Sequence, residues 1–131
     1  MVDITNQLFN DIEPAVLAAY PKAVVAKTYQ SDQTTFPYVT LIDLDNMEID
    51  RNLSNTGLQS KVSWQIDIYT DGGNREITAK KIRDLIAQVL EGKYHMTRVT
   101  SRPVTNAADT TIYRWMMRYS CKIDEDRNLI Y

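Results

Sequence analysis

The sequence is poor in the residues that most ready-made chemistry requires. It holds one cysteine, Cys121, and one histidine, His95, among 131 residues. An intrachain disulfide is therefore impossible, and a structural zinc site, which takes four Cys or His ligands, has too few. A single thiol suits a reducing compartment better than a disulfide-stapled secreted scaffold. Glycine and proline number four each, and no flexible linker or low-complexity tract divides the chain. No G-x-G-x-x-G or Gly-Lys-Ser/Thr phosphate cradle is present. Asp71-Gly72-Gly73 reads as a turn, since Asp71 would repel phosphate. The longest apolar run, Ala15 to Tyr20, is far short of the ~20 residues of a membrane span. The N-terminus also lacks the basic-then-apolar order of a signal peptide, so the expectation is a soluble chain with no membrane partner. Charge of one sign is missing too: 15 Lys and Arg face 17 Asp and Glu, a net charge of -2. Tight binding to a phosphate backbone needs clustered cations, so specific nucleic-acid binding is not expected.

What is present is enough for one core. Apolar residues make up 44% of the chain, and a domain of this length buries roughly two thirds of its unfolded surface without metal or disulfide. Residues 1–131 read as a single domain. Asp3 is a candidate N-cap for an amphipathic helix over 4–20, with Ile4, Leu8, Ile12 and Val16 on one stripe and Pro14 predicting a kink or a restart. Residues 23–30 and 36–44 read as strands, with Pro37 at the start of the second. Val62, Trp64, Ile66 and Ile68 alternate with polar residues over 62–70, a half-buried strand. A turn at 71–74 leads, with Asn74 as the cap, into a helix whose stripe is Ile82, Leu85, Ile86, Val89 and Leu90, closed by Gly92. A strand over 94–100 and a loop holding Pro103 and Asn106 precede the last long strand, 111–124. Its inward set is Tyr113, Trp115, Met117, Tyr119, Cys121 and Ile123; Arg114, Met116, Arg118, Ser120 and Lys122 face outward. The order α-β-β-β-α-β-β predicts an α+β fold, a largely antiparallel sheet with both helices on one face.

The 46–60 connection is longer than the ~2–5 residues of an ordinary hairpin. Met47, Ile49, Leu53 and Leu58 lie among Asp50, Arg51, Asn52 and Asn55, a pattern that extends the flanking strands into a protruding β-hairpin arm. Such an arm has little core of its own and is best explained by a partner surface. The candidates for chemistry are weak beside it. Thiol catalysis needs a base near the sulfur, and only Cys121 with His95 could supply the pair. Cys121 falls on the apolar parity of its strand, where a thiol packs as a small hydrophobe. Asp43, Asp45, Glu48 and Asp50 could hold a hard cation but lack the spacing and turn of an EF-hand loop. Arg98, Arg102, Arg114 and Arg118 fall on the last two long strands, as a solvated face or as partners for carboxylates of a neighbouring subunit.

Asp109-Thr-Thr-Ile-Tyr-Arg-Trp-Met-Met-Arg-Tyr119, with Phe36-Pro-Tyr-Val-Thr-Leu-Ile-Asp-Leu-Asp-Asn46, Val62-Ser-Trp-Gln-Ile-Asp-Ile-Tyr69 and the terminal Ile130-Tyr131, resembles the tail-terminator or tail-completion proteins of long-tailed bacteriophages, often grouped with minor capsid proteins. The resemblance covers most of the chain in order and spacing. It implies a virion structural protein at the head–tail junction, assembled in the host cytoplasm, with no enzymatic activity and no cofactor. It further implies a homohexameric ring that caps the tail tube, meets the tube protein and the head–tail connector protein, and lets DNA pass. A ring built from one chain needs heterologous contacts that close. The interface candidates are Met47, Ile49, Arg51, Leu53, Leu58, Arg114, Arg118, Leu129, Ile130 and Tyr131. Asp43, Asp45, Glu48 and Asp50 are the lumen candidates, since like charge suppresses adhesion of DNA. Two other readings fit the same residues: a head-completion or adaptor protein of the same virion, and a small module that binds peptides by strand addition.

Overall fold

A computed structural model of the chain describes residues 4–27, 35–49, 59–105, 109–124 and 129–130. The first helix, α1 (Thr5–Ala19), buries Thr5, Leu8, Ile12 and Val16 at the spacing of one helical face. Pro14 lies inside α1 without ending it. Both Pro14 and Asn10, whose carbonyl loses its helical donor, are exposed. Water can therefore take the place of the missing bond, and the expected restart does not occur. Ile4 occupies the N-cap position, and the proposed cap Asp3 lies outside the described residues.

Five strands follow in the sheet order β1-β2-β3-β5-β4: β1 (Val24–Ala26), β2 (Tyr38–Ile49), β3 (Gln59–Thr70), β4 (Thr97–Val104) and β5 (Tyr113–Asp124). A two-residue strand, β6 (Leu129–Ile130), pairs with the end of β5. The fold is α+β, as the alternation of elements predicted, and the sheet is antiparallel with one exception. β1 runs parallel to β2, with Val24 opposite Tyr38, where adjacent strands without an intervening helix were expected to be antiparallel. The described part of β1 is also shorter than the strand read over 23–30, and residues 28–30 lie outside the described set. Pro103 sits within β4 and not in a loop. β4 is an edge strand, which tolerates the missing N–H.

The second helix, α2 (Arg75–Ala87), begins after the turn at Asn74, but the Asn74 side chain makes no capping bond. Its end departs further from expectation. The helix widens into a π-helical turn over Gln88–Lys93, which contains Gly92. The left-handed residue that terminates it is His95, at φ 53°. Tyr94 and Met96, read from sequence as the start of a strand, instead drop into the core at 3% and 5% exposure. The Met96 N–H donates to the Leu90 carbonyl at 3.0 Å.

The core lies between the helices and one face of the sheet, around Trp64, Ile66, Ile68, Met117, Tyr119 and Ile123 with Leu8, Ile12, Ile82 and Ile86. Polar anchors tie the layers together. Trp64 Nε1 donates to Thr5 Oγ1 at 3.1 Å, and Thr5 Oγ1 donates to Asp43 at 2.5 Å. The hydroxyls of Tyr94 and Tyr119 donate to Asp11 and Glu91, from α1 and the π turn.

Candidate assembly surfaces

The second face of the sheet carries the charged network. Register places Tyr38, Tyr69, Arg114 and Val104 in one cross-strand row, and Thr40, Asp67, Met116 and Arg102 in the next. Ile42, Gln65, Arg118 and Thr100 follow. Among the described residues no helix packs on this face, yet Asp67 and Met116 are only 2% and 5% exposed. Asp67 is held by its neighbours on this face. Arg114 Nε donates to Asp67 Oδ1 at 3.0 Å, Gln65 Nε2 donates to Asp67 Oδ2 at 2.8 Å, and Arg118 Nε donates to Gln65 Oε1 at 3.1 Å. The Arg114 guanidinium also lies 5.6 Å from the Tyr69 ring centroid. Thr40 Oγ1, in the row of Asp67, is buried without a hydrogen-bond partner among the described residues. Two of the interface candidates, Arg114 and Arg118, thus belong to one held network on the uncovered face. Met116 and Ser120, assigned outward by alternation, do face this side but are buried there. Alternation reports the face and not the depth of burial.

The other candidates separate into three groups. Met47 and Ile49 lie in β2 at the register positions of Lys61 and Gln59. β5 continues beside β3 over the same stretch, with Gln59 opposite Asp124. The base of the expected arm is therefore part of the sheet. Arg51, Leu53 and Leu58 lie outside the described residues, as do Asp50 and Tyr131. Leu129 and Ile130 form β6, opposite Ile123 and Lys122 of β5.

In a regular strand Asp43 and Asp45, two residues apart, would share a face. An irregularity between them places Asp43 opposite Trp64 and Asp45 opposite Ser63, positions of opposite parity on β3. Asp43 is exposed at the core-side border, holding the Thr5 hydroxyl. Glu48 occupies the position opposite Ser60. Sequence reasoning missed Asp67 and Gln65 as parts of a site. The signal available was a carboxylate on the polar parity of β3, with two arginines two residues on either side of its partner position on β5.

The thiol is not activated. Burial pushes the Cys121 thiol up to about 11, the opposite of the depressed value a nucleophile needs. His95 is exposed at the turn before β4. Two open hollows of about 330 and 320 Å³ are lined in one case by Val104, Ile112, Tyr113 and Arg114 and in the other by Tyr20, Lys81, Leu85 and Gln88. No described helix is long and apolar enough to cross a membrane.

These features define a class: a small α+β subunit whose distinctive surfaces are sheet borders and a charged sheet face, the equipment of a structural building block. The chain belongs to the family described as Tail completion protein gp17, which matches residues 8–124. It is a phage tail structural protein, and its place is in the tail of the virion. Among solved structures, a chain from the virion of a native gene transfer agent particle has the same fold. The TM-score is 0.65 at 16% identity, over 89% of this chain and 94% of that one. No curated protein matches the sequence.

Proposed function

We propose that this protein is a tail terminator: copies close into a homohexameric ring on the end of the tail tube, stop its growth and help to join the tail to the head connector. Membership in a tail completion family is the observation that carries the reading. Physical features support it. The uncovered sheet face holds arginines in place through Asp67 and Gln65, and Arg with Tyr and Met is the composition enriched at protein interfaces. β2 and β3 remain paired to Ile49 and Gln59, so the candidate arm, residues 50–58, joins two paired strand ends. A net charge of -2 suits a ring through which DNA passes without adhering. The ring contacts the tube protein on one side and the connector on the other, and no catalytic step is involved.

The test is native mass by light scattering over a wide concentration range, with and without purified tail tubes, followed by negative-stain imaging. A closed ring near six subunits, in solution or on tube ends, is the expected outcome. Association that needs the tube is consistent, because a partner surface can supply the missing free energy. Tubes that keep growing in its presence, with no protein at their ends, would refute the reading. Replacing 50–58 by a short turn tests the arm while leaving the β2–β3 pairing intact, and ring formation should weaken.

A further inference from the structure

We infer that copies join edge to edge: the outer edge of β2 over residues 41–49 in one copy takes β6 of the next as its neighbouring strand, so that one antiparallel sheet runs on from subunit to subunit. This deepens the ring reading above and rests on it. At the end of the sheet away from β1 the strands share cross-strand rows. Met47, Lys61, Lys122 and Ile130 occupy one row, and Glu48, Ser60, Ile123 and Leu129 the next. β2 and β6 are thus the two borders of a stretch ordered β2-β3-β5-β6. Every pairing within it is antiparallel, so β6 runs opposite to β2. A head-to-tail neighbour therefore brings β6 to β2 in the sense the rest of the stretch already has.

Among the described residues both borders are open on their outer sides. β1 pairs only with Tyr38, Val39 and Thr40, and no other described strand lies beside 41–49 of β2. β6 pairs with β5 alone. Unpaired N–H and C=O groups along such an edge are a template for a further strand. β2 is not guarded as edges commonly are. Residues 41–49 contain neither Lys nor Pro, and beyond the irregularity at Asp43 and Asp45 the ladder with β3 is unbroken to Ile49. β4, the other outer strand on the β6 side of the sheet, is guarded. An irregularity lies between Arg98 and Thr100, Val99 there is 61% exposed, and Pro103 supplies no donor.

The strand that β2 accepts is a second copy's β6 and not its β2. Every charged residue in 41–49 is acidic, Asp43, Asp45 and Glu48, so two such edges laid side by side would bring like charges together. Pairing β2 with β6 uses two different borders, and each copy offers one and accepts the other. Repeated around an axis, this is the heterologous contact that closes a ring. A ladder of the two residues Leu129 and Ile130 is a weak hold by itself, which fits a ring completed on the tube end.

Introduced cysteines test it, in a Cys121→Ala background. Within one copy, β3 and β5 lie between Met47 and Ile130, which puts the two positions ~14 Å apart at the usual strand spacing. A disulfide needs Cα atoms within ~7 Å. A bond between Met47→Cys and Ile130→Cys therefore forms only between copies. Closing a sheet into a ring staggers the register, so Ile130→Cys is combined in turn with Asp45→Cys, Met47→Cys and Ile49→Cys. Rings assembled with tail tubes and then oxidised should give, for at least one pair, a ladder of covalent multimers on a denaturing gel, and none for the single-cysteine chains. In the parent chain, amide hydrogen exchange over 41–49 should slow roughly tenfold or more on assembly. Thermal unfolding within a few degrees of the parent verifies that the variants fold. If parent rings form and no pair cross-links, or if 41–49 exchanges as fast as in the free chain, the contact is elsewhere while the ring reading stands. Dimers formed by Met47→Cys alone would mean that β2 pairs with β2, and protection of 41–49 by tubes with no cross-link would make the tube protein the added strand; either overturns the inference. If the parent forms no ring even on tubes, the ring reading itself has failed.

Discussion

Arg114→Ala should destabilise the monomer by about 2–3 kcal/mol, an expectation that follows from the burial of Asp67. The Asp67 side chain is 3% exposed and that of Arg114 is 27% exposed. Breaking a buried ion pair by removing one member costs about 3–5 kcal/mol, because the other charge is left uncompensated. Two features bring the figure down here. Gln65 Nε2 still donates to Asp67 Oδ2 at 2.8 Å, and water can enter the space vacated by a partly exposed guanidinium. The lost contact with the Tyr69 ring adds a few tenths of a kcal/mol. Urea unfolding at neutral pH measures the loss, and the midpoint of thermal unfolding should fall by roughly 8–12 °C for a domain of this size. The double variant Arg114→Ala/Asp67→Ala completes a cycle. It should be more stable than the sum of the single changes predicts, by at least ~1 kcal/mol, since it leaves no orphaned charge. A loss below ~0.5 kcal/mol for Arg114→Ala, with additive singles, would show that Asp67 is not held as described.

Other perturbations test separate parts of the structure. His95→Gly should stabilise by about 0.5–1 kcal/mol in urea unfolding, because glycine adopts the φ of 53° without the Cβ penalty. Thr40→Val should be neutral or stabilising by up to ~1 kcal/mol, since it removes a buried hydroxyl that has no partner among the described residues. The hydrogen bond from Tyr94, then Lys93, lowers the Asp11 carboxyl below 3.8. A depressed folded value stabilises above the unfolded one, so this contribution is present above about pH 4 and is lost as pH falls through the folded value. Tyr94→Phe should flatten that part of the acid-unfolding curve. With its thiol raised to about 11, Cys121 should alkylate at pH 8 at least ~50-fold more slowly folded than in urea. Equal rates would show that the strand does not bury it.

Much of the fold was legible because its signals are local. Val62, Trp64, Ile66 and Ile68 alternate over a run that can only be a half-buried strand, and all four are at most 2% exposed. The stripe Ile82, Ile86 and Leu90 similarly identified the inner side of the second helix and the turn after it. The end of that helix was not legible. Gly92 looked like a terminator by position, but the π turn carries the chain past it, and Met96 N–H closes on Leu90 only because Tyr94 and Met96 find room in the core. The charged network of the candidate surface was half legible. Arg114 and Arg118 stood out by type and parity; Asp67, which holds one of them, looked like an ordinary polar position on the solvent side of a strand.

The periods of 2 and 3.6 and the short turns were sufficient, from sequence alone, to predict the α+β fold that the structure has. These are properties of neighbours along the chain. Tertiary structure decided which polar groups are buried and what they hold. Asp67 is held by a side chain from β5, 47 residues away, and Asp43 and Asp45 are parted by a register shift against β3. Charge pairing on a sheet is set by the residue across the strand, and the residue across the strand is known only once the strands have been brought together.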